Sequence, residues 1–198
     1  MTFIKMCGLR DEATVDLAVE LGVDAIGLVL AESPRKVTAE QAAQLRARVP
    51  EGTLAVGVYV KIPLDEIVAT ARTAGLDHVQ VHDLRSPADV KFLHDAGLTV
   101  VRAVNTGGAT EPPEDFGADL LLIDGTGAGA GVTWDWRNRS ALPSGRWILA
   151  GGLHPGNVTE ALAASGAWGV DVSSGIESSR GVKDPEAMRA FAAAVRGA

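Results

Sequence analysis

Seven times along the chain a stretch of helical periodicity runs into a glycine, and a short segment rich in Val, Ile and Leu follows at once. The copies are ELGVDAIGLVL at Gly22, PEGTLAVGVYV at Gly52, TAGLDHVQVH at Gly75, DAGLTVVRAV at Gly97, DFGADLLLID at Gly117, PSGRWILAGG at Gly145 and SGAWGVDVSS at Gly166. Glycine accepts the left-handed conformation that closes a helix, so most of these predict a helix C-cap feeding a strand about two residues later. With FIKMC near the start, the strand segments number eight. Helix starts fall between them. VTAEQ offers a Thr38 and Gln41 capping box, SPADV a Ser86 cap with Pro87 at the first helical position, and DPEAM an Asp184 cap with Pro185.

Segments such as AIGLVL and DLLLID are almost continuously apolar, as strands of a parallel sheet are when helices cover their outer face. Alternating strand and helix eight times within 198 residues predicts one α/β domain, a (β/α)₈ TIM barrel spanning residues 1–198. An open doubly wound sheet is the alternative. Two units depart from the regular pattern. LTVVRAVNTGGATEPPEDF leaves room for at most a turn after its strand, so the fifth helix is expected to be short or missing. GTGAGAGVTWDWRN, after the sixth strand, predicts a mobile glycine-rich loop ahead of a short helix.

Composition narrows the function. The chain is 46% hydrophobic and 22% charged, with a formal net charge of -7, which suits a soluble domain with a substantial core. No apolar run approaches the ~20 residues of a membrane span, and MTFIKMCGLRDE lacks the apolar stretch of a secretory signal, so no membrane partner and a cytoplasmic location are expected. One cysteine can form neither an internal disulfide nor a thiolate metal cluster. Scattered Lys and Arg in an acidic chain do not make the basic stripe that nucleic acid requires, although a small anion held by a few placed donors remains compatible. GTGAGAG lacks the strand–loop–helix spacing of a dinucleotide fingerprint, so no nicotinamide cofactor, and no metal, is expected.

Active sites of such barrels gather at the C-terminal ends of the strands. Two of those ends, LAGGLHPGNV and GVDVSSGIES, place Gly151, Gly152, Ser173, Ser174 and Gly175 after consecutive strands, where backbone N–H groups can approach a phosphate closely. Cys7 closes the first strand, with Lys5 on the same side of the pleat and Gly8 beside it. A nearby ammonium favours thiolate and predicts a lowered pKa, yet free cysteines are also among the commonest core residues. Asp124 ends the sixth strand, where desolvation suits a proton donor, or where it caps the following turn. Arg35 can clamp a carboxylate or decorate a loop. His82 is a donor to the site or a satisfied mouth residue. Asp171 shares a pleat face with Ser173 and either orients sugar hydroxyls or makes a structural hydrogen bond.

The segments KMCGLRDEAT, GLVLAESPRKVTAEQA, GVYV, VQVH, LLLID, TWDW, LAGGLHPGNV and GVDVSSGIESSRGVKDPEAM resemble, in this order, the phosphoribosylanthranilate isomerases of tryptophan biosynthesis. The resemblance runs from the first strand to the last helix. It implies a cofactor-independent Amadori rearrangement of N-(5-phosphoribosyl)anthranilate to 1-(2-carboxyphenylamino)-1-deoxyribulose 5-phosphate. It further implies Cys7 as general base, Asp124 as general acid, Arg35 facing the anthranilate carboxylate, and the two small-residue loops holding the phosphate. The implied partner is a small phosphosugar, in a monomer or homodimer. Two departures stand out: Asp83 replaces the family's usual glycine after His82, and the loop after Asp124 lacks the commoner Gly-Gly-Thr-Gly order. A relative retuned toward the aminoimidazole substrate of the histidine-pathway isomerase is a second reading, opposed by Cys7 because such enzymes usually pair aspartates. A phosphosugar sensor without turnover is the third, supported by the unexpected anion at Asp83.

Overall fold

In the computed structural model, residues 1–105, 111–125 and 142–197 are described. Eight strands form a closed parallel barrel in sequence order, the first pairing with the eighth. They are β1 (Phe3–Cys7), β2 (Ala25–Val29), β3 (Leu54–Tyr59), β4 (His78–Val81), β5 (Thr99–Asn105), β6 (Leu120–Asp124), β7 (Trp147–Ala150) and β8 (Gly169–Val172). The open-sheet alternative is thereby excluded. Six helices accompany them among the described residues: α1 (Glu12–Glu20), α2 (Ala39–Arg46), α3 (Leu64–Ala74), α4 (Pro87–Asp95), α5 (Val158–Ser165) and α6 (Pro185–Arg196).

All seven repeat glycines take positive φ, between 64° and 95°. The capping box forms at Thr38 and Gln41, and the Asp184 carboxylate accepts from the Glu186 and Ala187 N–H groups. Ser86 caps α4 by backbone position alone, without a side-chain bond. No helix appears among the described residues between β5 and β6, as the paired prolines Pro112 and Pro113 dictate. The glycine-rich segment expected to form a mobile loop and short helix after Asp124 lies, from residue 126 to 141, outside the described residues.

The largest core is the shell between strands and helices. Residues pointing outward from β1, such as Ile4 and Met6, meet helix faces such as Met188, Phe191, Ala192 and Val195 of α6, whose i, i+3, i+4, i+7 spacing makes one apolar stripe. Burying each large side chain there contributes roughly 1.5–3 kcal/mol. Two smaller clusters fill the barrel: Val101, Ala103, Leu122, Ile148 and Ala150 in one, and Cys7, Val29, Ala31 and Val58 in the other.

One element has no counterpart in the repeat. After β8 the chain makes a 3-10 turn (Ser174–Ile176) and an antiparallel hairpin, β9 (Glu177–Ser179) and β10 (Val182–Lys183), before entering α6. This hairpin delivers Glu177, Arg180 and Lys183 to the barrel mouth. No described helix is long and apolar enough to cross a membrane.

Candidate active site

A cavity of about 280 Å³ opens at the C-terminal ends of the strands. Its walls bring together Cys7, Arg35, His82, Asp124, Gly151, Gly152, Asp171, Ser173 and Ser174, nine of the ten residues singled out above. Gly175, the tenth, packs directly behind the lining: a Cβ there would lie 1.8 Å from the Leu153 carbonyl oxygen. Only glycine permits that approach between the loops after β7 and β8.

Cys7 ends β1 opposite Gly27 of β2. A Cβ on Gly27 would stand 2.7 Å from Cys7 Sγ and 3.1 Å from Lys5 Nζ, so the bare glycine makes room for both groups. The register of β1 against β8 sets Lys5 opposite Asp171, and Lys5 Nζ donates to Asp171 Oδ1 at 2.9 Å with both side chains buried. Burial alone pulls the ammonium down, but Asp171 and Cys7 together outweigh it and Lys5 stays charged.

The lowered thiol pKa expected from Lys5 is not what this environment produces. Burial, the largest influence, pushes Cys7 up. Lys5 and Lys183 oppose the rise and Asp171 adds to it, and the net direction is upward from 9.0. A thiolate 7% exposed loses more hydration than one already paired ammonium returns.

Arg35 is neither free nor solvated. Its Nε and Nη2 donate to Glu177 Oε1 and Oε2 at 2.6 and 2.8 Å, a two-pronged pair of partners far apart in sequence. Glu177 also accepts from Lys183 Nζ at 2.9 Å and from the Gly181 N–H at 3.1 Å. Burial pushes this carboxyl up, but those donors together take it down to about 2. Two of the five guanidinium N–H groups of Arg35 face Glu177, which leaves the others to the cavity. Lys183 also donates to the Ser173 carbonyl at 2.8 Å, while Ser173 Oγ donates to the Cys7 carbonyl at 3.1 Å. One network therefore joins the first strand, the Arg35 loop and the Ser173–Ser174 loop.

Asp124 ends β6, and a Cβ on Gly151 would lie 2.6 Å from its Oδ1, which sets the carboxyl beside the Gly151–Gly152 loop. Burial and Lys5 hold the His82 imidazole down against weaker upward pulls from Asp171 and Asp83, so the ring is neutral at pH 7. Its Nε2 lies 3.0 Å from Gln80 Nε2, the contact of a neutral acceptor nitrogen with an amide donor. Asp83 is exposed and accepts from the Lys61 N–H in the turn after β3, where Lys61 has φ 56°. Its carboxylate braces that turn rather than lining the cavity, and the sensor reading loses its support. For Asp171, the observed partner is the structural one, Lys5. Among the described residues, no group of three or more His, Cys, Asp or Glu is placed to hold a metal.

A model of the N-(5'-phosphoribosyl)anthranilate isomerase family matches residues 4–194. The chain belongs to this family. It is 42% identical over 213 residues to the N-(5'-phosphoribosyl)anthranilate isomerase of Rhodospirillum rubrum, covering 98% of each chain. Its fold is similar to the crystal structure of TrpF from Jonesia denitrificans, with TM-score 0.87 and 40% identity over 100% of this chain and 98% of that one. A phosphoribosyl anthranilate isomerase crystallised with reduced 1-(o-carboxyphenylamino)-1-deoxyribulose 5-phosphate superposes with TM-score 0.85 and 27% identity, covering both chains fully.

Within this isomerase framework, four residues escaped sequence reasoning as site components: Gly27, Gln80, Glu177 and Lys183. Glu177 and Lys183 sit in the quoted segment GIESSRGVKD, and a half-buried cation at the mouth such as Arg35 calls for an anion, so Glu177 was findable as its counter-charge. Gly27 gave no such signal, because its role depends on a cross-strand register no local pattern reveals.

Proposed function

We propose that this protein catalyses the Amadori rearrangement of N-(5-phosphoribosyl)anthranilate, the isomerisation carried out in tryptophan biosynthesis, by general acid–base catalysis without a cofactor. The observation that carries the reading is the convergence of a thiol and a carboxyl, Cys7 and Asp124, on one cavity flanked by a small-residue anion loop on one side and Arg35 on the other.

In this scheme Asp124 protonates the furanose ring oxygen. The C1–O bond then breaks as the anilino nitrogen donates its lone pair, giving an iminium. Cys7, as thiolate, removes the proton from C2, and the electrons left behind neutralise the iminium to an enolamine that tautomerises to the ketone. The working state has the proton on Asp124 and none on Cys7. Burial disfavours that thiolate, and the iminium charge formed beside it lowers the cost at the moment the base is needed. Backbone N–H groups around Gly151, Gly152, Ser173, Ser174 and Gly175 hold the phosphate. The donors of Arg35 not used by Glu177 meet the anthranilate carboxylate. His82, neutral, and Asp171 stand beside the sugar, Asp171 chiefly as the anchor of Lys5. Product and substrate are soluble phosphosugars, and no membrane or nucleic acid takes part.

The test is loss of phosphoribosylanthranilate fluorescence on incubation with the purified protein. The parent should turn it over, and Cys7→Ser and Asp124→Asn should each lose about 10²–10⁴ in kcat, the range general acid–base groups supply. Undiminished turnover in both variants overturns the assignment.

A further inference from the structure

Arg180 lines the same cavity and is an exposed arginine with no hydrogen bond or ion pair among the described residues. Every other described cation at this mouth is committed: Lys5 to Asp171, Arg35 and Lys183 to Glu177. The described carboxylates of the lining are Glu32, Asp124 and Asp171. A ligand carrying a carboxylate and a phosphate brings about three negative charges to this cavity. Arg180 is the one uncompensated positive charge the described lining offers it.

Placement selects which anion it serves. Arg180 sits in the turn between β9 and β10. Its neighbour Gly181 donates its N–H to Glu177, the carboxylate that holds Arg35. Gly181 also presses on Pro34, since a Cβ there would be 2.8 Å from the Pro34 carbonyl oxygen. The hairpin thus roots Arg180 next to a glycine that touches both Glu177, the anion of Arg35, and Pro34, the residue before Arg35. Arg35 has two of its five donors occupied, and a second guanidinium lining the same cavity adds to the planar recognition a carboxylate invites.

We propose that Arg180 is a specificity-determining residue that binds the carboxylate on the aromatic ring of the substrate, forming with Arg35 a two-arginine clamp. This rests on the phosphoribosylanthranilate reading above. The clamp makes the enzyme favour an ortho-carboxylated aniline, because without that carboxylate the Arg180 charge stays uncompensated.

The experiment is a calorimetric titration of the parent, Arg180→Gln and Arg180→Lys with two probes: reduced 1-(o-carboxyphenylamino)-1-deoxyribulose 5-phosphate and the same compound lacking the carboxylate. Arg180→Gln should weaken the carboxylated probe about tenfold, as loss of a charge-assisted contact does, and leave the other unchanged. Arg180→Lys should recover part of the loss. Melting temperatures that match the parent show that folding is intact. Equal weakening of both probes places Arg180 on the phosphate and overturns the proposal, as does no change with either. The phosphoribosylanthranilate reading is judged separately, by turnover of the parent: active parent and unaltered probe discrimination in Arg180→Gln remove the clamp alone, and a parent without turnover removes both.

Discussion

Arg35 and Glu177, 142 residues apart in the chain, are joined by two hydrogen bonds of 2.6 and 2.8 Å at the edge of the cavity. The pair fixes the arginine's plane before any substrate arrives, so ordering entropy that a free arginine loses on binding is spent during folding. Replacing Glu177 by Gln keeps the shape and removes the charge. The guanidinium and Lys183 are then left without their shared anion. We expect KM to rise about tenfold, with a smaller change in kcat, because positioning rather than proton transfer is lost. Steady-state kinetics with the substrate distinguish the two, and an unchanged KM would show that Glu177 does not orient Arg35.

The same pair predicts an acid limb of stability. The Glu177 carboxyl lies near its ordinary 4.5 when unfolded and is held at about 2 when folded. Between those values the unfolded chain binds more protons, so stability rises with pH across the window. The contribution is complete above about 4.5 and is lost as pH falls through about 2. Thermal melts of the parent should therefore drop along that limb, and Glu177→Gln, less stable at neutral pH, should show a flatter one. Parallel limbs would refute the assignment.

Lys5 governs how much of Cys7 is thiolate. Burial drives the thiol upward and Lys5 is the largest influence against it. Lys5→Met keeps the volume and removes the charge, so the thiol pKa rises further. Each unit of rise removes about tenfold of the thiolate at neutral pH. The expectation is a loss of about 10- to 100-fold in kcat/KM at pH 7, regained in part as pH increases. The pH dependence of Cys7 alkylation by iodoacetamide checks the cause directly: its midpoint should move to higher pH in the variant, and a midpoint that stays put would sink the explanation.

The fold was legible because its signals are local. Each glycine before a strand, each cap at Thr38 or Asp184 and each apolar run speaks of its own neighbourhood, and eight strand segments alternating with helices favour a closed barrel over the open sheet, as the strand order bears out. The site was legible as far as the strand ends, since the barrel puts every strand end on one rim. What stayed hidden depends on distant pieces meeting. The partner of Lys5 lies 166 residues away and that of Arg35 lies 142 away, and the raised Cys7 pKa follows from burial that no short segment announces. Asp83 misled for the same reason: beside His82 in sequence, its carboxylate turns instead to the Lys61 turn.

The shell core sets the cost of losing the last helix. Phe191 is fully buried in the α6 stripe with Met188, Ala192 and Val195. Phe191→Ala should destabilise the fold by about 3–5 kcal/mol, the transfer loss and the cavity together. Urea titration measures it, and a change below about 1 kcal/mol would mean that the stripe repacks.

Gly175 and Gly156 offer a paired test of how the anion loop is built. Neither has a positive φ, so alanine meets no backbone strain at either, and only the space around the new methyl differs. At Gly175 that methyl would fall 1.8 Å from the Leu153 carbonyl oxygen, a backbone atom that cannot step aside without moving the loop after β7. At Gly156 it would fall 3.2 Å from the His154 ring, an exposed side chain that accepts from the Gly156 N–H at 3.1 Å and needs to yield only a few tenths of an ångström. Gly175→Ala must therefore separate the two loops proposed above to hold the phosphate. A displacement of about 1 Å is enough to cost on the order of 10² in kcat/KM. Gly156→Ala should stay within about twofold of the parent. Comparable losses in the two variants would show that the phosphate site does not depend on the contact of Gly175 with Leu153.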